Sequence, residues 1–312
     1  MEKIEIWKNR LLYFLKAIIG LALVVWILFQ VDREEFFGYF MSLDLSLLLL
    51  ILPLSSFSLL IQYLRWKYMV SNYSDHYDNK DLLPSFFAGF TFRLMIPGGH
   101  AELSKVLLLP GRKRGKVMAF SMERIFQTII KLLLSVWLLM IHFPEYLIIY
   151  IIISAGVIVA YILIPKFSIV KSLHEKPVEY NVIFLWSIVF SAGVYVVMVM
   201  QYFILLNASY PVSLGATSYT VVYLWSAGIV PISISGLGVR EGLAVYFFNL
   251  YGVPGAYAVA TSLFLFAINA IIPALIGIYY IYQKRDHLKD VKNTMHSSRE
   301  LWKSLRKNKN NL

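Results

Sequence analysis

Long apolar runs free of charge alternate with short polar segments along this chain. Residues 180–239 contain no Asp, Glu, Lys or Arg, and after Arg240 and Glu241 the chain again lacks them over residues 242–283. A helix that crosses the hydrocarbon core of a bilayer needs about 20 predominantly apolar residues. The pattern therefore predicts an all-α integral membrane protein with several crossings.

The apolar segments fall into two kinds, uninterrupted and broken. Two of them, 82–97 and 212–251, are broken: the first is short and contains Arg93, and the second is divided by a Gly-rich stretch at 236–238. We expect these two to form broken or re-entrant helical hairpins. The six predicted full crossings are 11–30, 45–64, 117–141, 146–165, 181–206 and 257–282.

Lysine and arginine are concentrated in alternate loops. Besides the two terminal segments, the basic loops are 65–80, 112–116 and 166–176, whereas the opposite loops carry only Arg33. Cytoplasmic loops are enriched in these residues, so both termini are expected on the cytoplasmic side of the plasma or inner cell membrane. The same rule requires the first hairpin to enter and leave from the cytoplasmic side and the second to do so from the outer side.

Several basic residues are predicted to lie at the membrane surface. The Arg-Trp-Lys sequence at 65–67 ends the second crossing and is typical of an interface anchor. Residues 111–116 form a basic stretch expected at the anionic leaflet. For Arg93 and Lys131, snorkelling of the charged head to an interface is the simplest interpretation.

Composition narrows the possible functions. The chain has 312 residues, of which 59% are hydrophobic and 15% charged, so it is far more apolar than a soluble domain. It has no cysteine, which excludes disulfides, thiolate metal sites and cysteine nucleophiles. The net charge of +11 lies beside apolar spans, where membrane topology explains it better than nucleic-acid binding does. No nucleotide, zinc or hydrolase motif is present, so the sequence indicates neither a cofactor nor a metal.

Two stretches share the same spacing of small and acidic residues. In each, Ala-Gly is followed by Gly ten positions later and by Glu after three more; the residues are Gly89, Gly99 and Glu102, and Gly228, Gly238 and Glu241. Paired broken segments in the two halves of a chain are typical of inverted repeats with a site near the bilayer midplane. We expect one membrane domain over residues 1–283, with related halves at about 11–141 and 146–283, and a basic cytoplasmic tail at 284–312.

Charged residues inside apolar segments are the strongest candidates for function, because each costs about 2.5–3.5 kcal/mol at the centre of a membrane helix. The candidates for substrate binding are Glu102, Lys105, Glu123, Arg124, Arg240 and Glu241. With Arg93 and Lys131 included, three carboxylates stand against five cations, a surplus that favours an anionic ligand. The alternative is that these groups pair only with each other and fix the helices.

The glycine breaks add a second set of candidates. Gly98, Gly99, Gly236 and Gly238 interrupt apolar segments, and irregular backbone at membrane depth is tolerated where it is buried or lines a wet cavity. A helix that begins after such a break directs N–H groups toward the cavity, which suits a phosphate. A plain tight turn is the alternative. His100, beside Glu102, is either a proton relay or a hydrogen-bonded structural histidine.

These motifs resemble those of a known family. Residues 96–105, Ile-Pro-Gly-Gly-His-Ala-Glu-Leu-Ser-Lys, followed by Glu-Arg at 123–124, resemble the first motif of the lysylphosphatidylglycerol synthetase transmembrane, or flippase-like domain, family. Residues 231–241 are similar to its second motif. Ala101 and Lys105 stand where the family usually has glycine and arginine, and lysine lacks the bidentate fork of arginine. The resemblance implies a membrane domain that handles lipids.

The expected function is that of a flippase-like transporter. It would bind an anionic phospholipid or a polyprenyl-phosphate-linked lipid in a polar cavity at the midplane and move it between leaflets. Arg240 and Lys105 would neutralise the phosphate, while Glu102, Glu241 and Glu123 hold these cations or carry protons. Glu102 and Glu241 are expected to line one pocket from opposite sides. The alternatives are a membrane transferase that acts on a lipid-linked substrate, and a scaffold without catalysis in envelope biosynthesis.

Overall fold

The regular elements of the chain are helical wherever the structure describes it. The computed structural model describes residues 18–41, 43–75, 77–95, 101–111, 113–166, 177–229 and 236–284. The α-helices are α1 (Ile18–Gln30), α2 (Arg33–Met41), α3 (Leu45–Tyr73), α4 (Asn79–Met95), α5 (Arg114–Leu139), α6 (Leu147–Leu163), α7 (Tyr180–Asn207), α8 (Leu214–Ser226), α9 (Val239–Asn249), α10 (Gly255–Phe266) and α11 (Ile272–Gln283). Short 3-10 segments lie at Ala101–Leu108, Pro144–Tyr146, Ile164–Lys166 and Ala227–Ile229, and a π-helical turn at Ala267–Ile271 joins α10 to α11. The all-α prediction is confirmed for these ranges.

Within the described ranges, four helical segments are long and apolar enough to cross a membrane. They are Leu45–Tyr73, Pro144–Lys166, Tyr180–Asn207 and Gly255–Gln283. Only 11% of the most apolar window of Pro144–Lys166 is buried, so this helix exposes apolar side chains such as Ile148 that hydrocarbon would cover. The chain is thus a multi-pass integral membrane protein. The predicted number of six crossings is not confirmed, because α1 is short in its described part and α5 carries charges along its length.

The second crossing is longer than its apolar run suggested. Helix α3 continues to Tyr73, so the sequence at 65–67 lies inside the helix and not at its end. Trp66 is fully buried and Arg65 is only 6% exposed, which makes the prediction of an interface anchor wrong for both. Arg65 is buried because its guanidinium group forms an ion pair with the carboxylate of Glu123 in the protein interior.

Two lysines of the basic stretch at 111–116, Lys113 and Lys116, also turn inward, whereas Arg114 is exposed. The Nζ atom of Lys113 donates to the carbonyl oxygens of Val106 and Leu107 at 3.4 and 3.3 Å, and Lys116 donates to that of Pro110. These carbonyl groups lie at or just beyond the C-terminal end of the 3-10 segment Ala101–Leu108, where a helix runs out of its own N–H donors. Burial lowers the pKa of Lys113, which stands just before α5. The two lysines therefore act as caps within the protein, unlike the predicted surface patch.

Helices α3–α5 and helices α7–α11 follow the same order. In each set a long helix is followed by a shorter one, a break, a short helical segment and a second long helical segment. A shift of 139 positions carries Gly89 onto Gly228 and Glu102 onto Glu241. The elements on either side of both breaks therefore match in order as well as in sequence spacing.

The two sets of helices pack closely against each other. The Oγ1 atom of Thr91 in α4 donates to the carbonyl oxygen of Ala274 in α11 at 2.7 Å. Gly277 permits this approach, because a Cβ atom at that position would collide with the backbone oxygen of Phe87 and with the Thr91 side chain. Small residues at such a contact let two membrane helices approach closely. Helix α4 is thus anchored on the C-terminal set.

Candidate functional site

A polar cavity of about 560 Å³ is lined by residues from both sets of helices. Helices α3, α4 and α5 and the 3-10 segment that carries Glu102 form one wall, and helices α7 to α10 form the other. Its charged lining residues are Arg65, Arg93, Glu102, Arg124, Lys131 and Arg240. The volume is within the range of small-molecule sites, about 300–1,000 Å³. The cavity therefore brings together charges from both interrupted segments.

Glu102 holds two arginines at the wall of the cavity. Its carboxylate lies 3.5 Å from Nη1 of Arg93 in α4 and also pairs with Arg124 in α5. Within the described chain the buried Nε atoms of both arginines find no hydrogen-bond acceptor. One carboxylate therefore faces two cations, and this part of the wall keeps a positive charge.

Glu123 forms a second, deeper cluster. Its two carboxylate oxygens accept from Nε of Arg65 at 3.2 Å and from Nζ of Lys105 at 3.0 Å. The Lys105 ammonium also lies 3.7 Å from the ring centroid of Trp66. Gly89 leaves room for this lysine, since a Cβ atom there would come within 3.1 Å of its Cδ. Lys105 is therefore committed to Glu123, although it shares a short helical segment with Glu102.

Glu241 forms an ion pair with Arg240 but does not itself line the cavity. The carboxylate accepts from the backbone N–H of Gly238 at 2.6 Å and from Ser262 Oγ at 3.0 Å, and it pairs with Arg240. Glu241 is fully buried and is not part of the cavity lining, whereas Arg240 reaches the cavity. The bond to Gly238 is the reach-back half of a capping box at the start of α9, so this N–H group is already occupied. The expectation that both Glu102 and Glu241 line the pocket is met only by Glu102.

The glycines that were predicted to contribute to the site differ in their positions. Gly236 lines the cavity, whereas Gly238 contacts α1 with a φ of +84°, and a Cβ atom at Gly238 would lie 2.6 Å from Cβ of Leu23. Gly238 therefore serves backbone geometry and close packing. Gly98, Gly99 and His100 lie outside the described residues.

Two cations that were expected to snorkel instead point inward. Arg93 and Lys131 both line the cavity, and the Lys131 ammonium lies 4.8 Å from the ring centroid of Trp225. Snorkelling requires a path to the interface along the protein surface. The interpretation was wrong for both residues, because their charged groups lie in the polar cavity and not at the membrane interface.

An amide network forms part of the cavity wall and was missed in the sequence. Gln201 donates to Ser55 Oγ at 2.7 Å and accepts from Asn269 at 2.9 Å, which links α7 to α3 and to the π-helical turn. Single π turns within α-helices are frequent at functional sites. The network could have been predicted from the sequence, because Gln201 and Asn269 are carboxamide residues inside long apolar segments that carry no charge.

Taken together, the buried and cavity-lining cations outnumber the carboxylates. In the described ranges these cations are Arg65, Arg93, Lys105, Lys116, Arg124, Lys131 and Arg240, and the carboxylates are Glu102, Glu123 and Glu241. No group of three His, Asp or Glu residues able to hold a metal ion occurs in the described ranges. The arrangement is suited to binding an anion inside a membrane protein.

The comparison with known families agrees with this chemistry. The family model described as Lysylphosphatidylglycerol synthase TM region matches residues 13–277. No curated protein and no solved structure matches the chain.

Proposed function

Because the chain belongs to the family of the lysylphosphatidylglycerol synthase TM region, whose members are membrane proteins of lipid-related biosynthesis or transport, we propose that it is a flippase-like transporter. In this proposal the cavity binds the headgroup of an anionic phospholipid or of a polyprenyl-phosphate-linked lipid. The acyl or prenyl chains stay in the bilayer while the headgroup passes from one leaflet to the other.

The surplus of cations in the cavity is the observation that supports the proposal. Arg124, Lys131 and Arg240 line one space, and the carboxylates near them are already paired with arginines. Uncompensated positive charge at membrane depth is costly, and a bound phosphate removes that cost. Hydrogen bonds from guanidinium or ammonium groups to phosphate are also among the strongest in proteins.

We further propose that α3–α5 and α7–α11 are the two units of an inverted repeat. The matching helix order and the shift of 139 positions support a common origin of the units. The distribution of Lys and Arg supports opposite orientations, with both termini cytoplasmic. Rocking of one unit against the other around the shared cavity would then expose the headgroup to each leaflet in turn.

A lipid-movement assay tests the proposed activity. Purified protein is placed in liposomes that contain a fluorescent phosphatidylglycerol, and a quencher that cannot cross the bilayer reports the fraction in the outer leaflet. We expect faster exchange than in empty liposomes, and a strong loss of exchange for Arg240→Gln and Arg124→Gln. Arg114→Gln is the matched control, because Arg114 is exposed at the start of the same helix as Arg124.

Exchange equal to that of empty liposomes, by protein that is folded and correctly inserted, would contradict the transport proposal. Chemical turnover of the headgroup in the same liposomes, with no change of leaflet, would support a membrane transferase in its place. Exchange that is the same in all three variants would contradict the role of the cavity.

A further inference from the structure

Helices α5, α8 and α9 extend from the cavity toward the same end of the molecule. They contribute Lys131, Trp225 and Arg240 to the cavity lining, and α8 packs on both α5 and α9. At the far end of the three helices, His142 after α5 meets Tyr251 after α9. The proposed orientation places this end on the outer side of the membrane. We call the contact of α5 and residue 142 with α8, α9 and residue 251 the outer seam.

The outer seam has an inner and an outer layer of polar contacts. In the inner layer, the Oγ atoms of Ser135 in α5 and Ser226 in α8 lie 2.6 Å apart, within hydrogen-bond distance. Ser135 follows the cavity residue Lys131 by four positions, which is about 6 Å along the helix axis. In the outer layer, Nε2 of His142 lies 2.9 Å from the hydroxyl oxygen of Tyr251. Both layers therefore stand between the cavity and the outer end of these helices.

The outer layer contains buried polar atoms that lack partners. The His142 ring packs against Phe247 and Tyr223, at centroid distances of 5.7 and 6.3 Å, and those two rings stack on each other. Within the described ranges, Nδ1 of His142 and the hydroxyl group of Tyr223 are buried without a hydrogen-bond partner. A buried polar group without a partner is destabilising, and it regains hydrogen bonds when water reaches it. The closed seam thus carries a free-energy cost that its opening removes.

The corresponding contact between α4 and α11 is closer. The shift of 139 positions relates Phe87 in α4 to Ser226 in α8. It also relates Gly277 in α11 to Leu138 in α5, so the contact of α4 with α11 corresponds to that of α8 with α5. Gly277 allows α11 to approach the backbone of α4, whereas Leu138 places a side chain at the equivalent position of α5. The outer seam is therefore held through side chains and not through close backbone contact.

Polar partners also differ between the two contacts. In the α4–α11 contact, Thr91 donates to the carbonyl oxygen of Ala274, and Lys284 forms an ion pair with Asp81. These groups are paired, in contrast to the buried atoms of the outer layer of the seam. In transporters built from inverted repeats, one repeat moves against the other around a fixed site. Of the two related contacts, the outer seam is the one whose side-chain interactions can separate with less loss of packing.

We propose that the outer seam is the gate between the cavity and the outer leaflet. Ser135 with Ser226 forms its inner latch, and His142 with Tyr251 forms its outer latch. Both latches separate when the gate opens, while the contact between α4 and α11 stays closed. The inference rests on the proposed function, because movement of a headgroup between leaflets requires a path from the cavity to each side.

A reversible cross-link across the inner latch tests the gate. The chain has no cysteine, so Ser135→Cys combined with Ser226→Cys introduces the only two thiols. A disulfide holds its two Cβ atoms about 3.8 Å apart and prevents α5 from separating from α8. We expect the disulfide, verified by intact mass, to reduce lipid exchange to the rate of empty liposomes, and a reductant to restore it. As controls, the oxidant should change the rate of neither single-cysteine variant, and a long flexible cross-linker between the two thiols should permit exchange.

Access of an aqueous reagent to the cavity tests the outer latch. A thiol reagent that cannot cross the membrane is added to intact cells that carry Thr128→Cys, a position that lines the cavity. We expect its labelling to become about 2- to 10-fold faster when Tyr251→Phe is added, the factor that corresponds to the loss of one hydrogen bond. Tyr246→Phe is the matched control and should not change the rate, because Tyr246 is an exposed tyrosine of α9.

The outcomes separate the gate from the transport activity. Exchange that the verified disulfide does not slow would overturn the gate and leave the proposed function standing. Absence of exchange by the unmodified protein would contradict the proposed function, and the labelling rates would still decide whether the seam opens. Equal labelling with and without Tyr251→Phe, including no labelling of either protein, would overturn the outer latch. The same comparison of labelling rates decides the inference if the disulfide does not form.

Discussion

Nε of Arg65 lies 3.2 Å from Oε1 of Glu123, which follows it by 58 positions in the chain. The pair joins α3 to α5, and its side chains are only 8% and 5% exposed. The other oxygen of Glu123 binds Lys105, so one carboxylate fixes three separate elements. The cavity wall that carries Arg124 begins at the very next residue, and its position therefore depends on this cluster.

Neutralising Glu123 should destabilise the protein strongly. In Glu123→Gln, Arg65 and Lys105 keep their charges in the interior without a carboxylate, and breaking a buried pair in this way costs about 3–5 kcal/mol. The free energy of unfolding in mixed detergent micelles measures the effect. Glu145→Gln is the control, since Glu145 is exposed in the segment Pro144–Tyr146 and should change the stability little. Equal stabilities of the two variants would contradict the structural importance of the cluster.

A single added methyl group at Gly277 should disturb the contact between α4 and α11. A Cβ atom there meets the backbone oxygen of Phe87, which cannot move as a side chain does. We expect Gly277→Ala to lose about 1–3 kcal/mol, as is typical of overpacking. Gly156→Ala in α6 is the control, because a Cβ atom at Gly156 meets nothing within 4 Å. If thermal unfolding of both variants is the same, the close packing of α4 on α11 is incorrect.

Gln201 and Asn269 should be energetically coupled. Each accepts from or donates to the other, and Gln201 also bonds to Ser55. In a double-mutant cycle of Gln201→Leu and Asn269→Leu, we expect a coupling energy of about 0.6 kcal/mol, the mean measured for hydrogen bonds between membrane helices, and at most about 1.7 kcal/mol. Unfolding free energies of the four proteins provide the measurement. Strict additivity would mean that the two amides do not interact in the membrane.

The apolar pattern predicted the long helices well where no charge interrupts them. The predicted crossings at 181–206 and 257–282 agree with Tyr180–Asn207 and Gly255–Gln283 within two residues at each end. The apolar pattern works here because a helix that crosses the hydrocarbon core needs about 20 apolar residues. The pattern failed at α3, since the run of apolar residues ends at Arg65 although the helix does not.

The sequence indicated which charged side chains lie inside the protein, but it did not indicate how they pair. A charged residue inside an apolar segment can be recognised from the sequence. By this criterion Glu102, Glu123 and Arg240 were predicted to lie in the interior, and the structure places them there. Whether a cation turns to the interface or to a cavity depends on partners that are distant in the chain, which is why Lys131 was misplaced. The role of Glu241 could have been predicted from local spacing. Gly-x-x-Glu before an apolar helix is also the pattern of a capping box, which indicates a structural glutamate at the start of the helix.

The orientation of the chain is open to a direct labelling test. The sequence contains no cysteine, so a single introduced cysteine reports one position without background. Glu145 and Asn207 lie in helical segments next to loops with few Lys or Arg residues, whereas Lys80 and Arg114 lie at the starts of helices next to basic loops, and all four are exposed. Because basic loops stay in the cytoplasm, a thiol reagent that cannot cross the membrane should label Glu145→Cys and Asn207→Cys in intact cells.

Lys80→Cys and Arg114→Cys should resist labelling until the membrane is permeabilised, which also proves that their thiols are reactive. The two positions bracket the first interrupted segment, so their agreement tests whether that segment returns to the side from which it entered. Labelling of Arg114→Cys from outside, with Lys80→Cys protected, would mean that the segment between them crosses the membrane completely. The two sets of helices would then share one orientation, and the inverted repeat would be excluded.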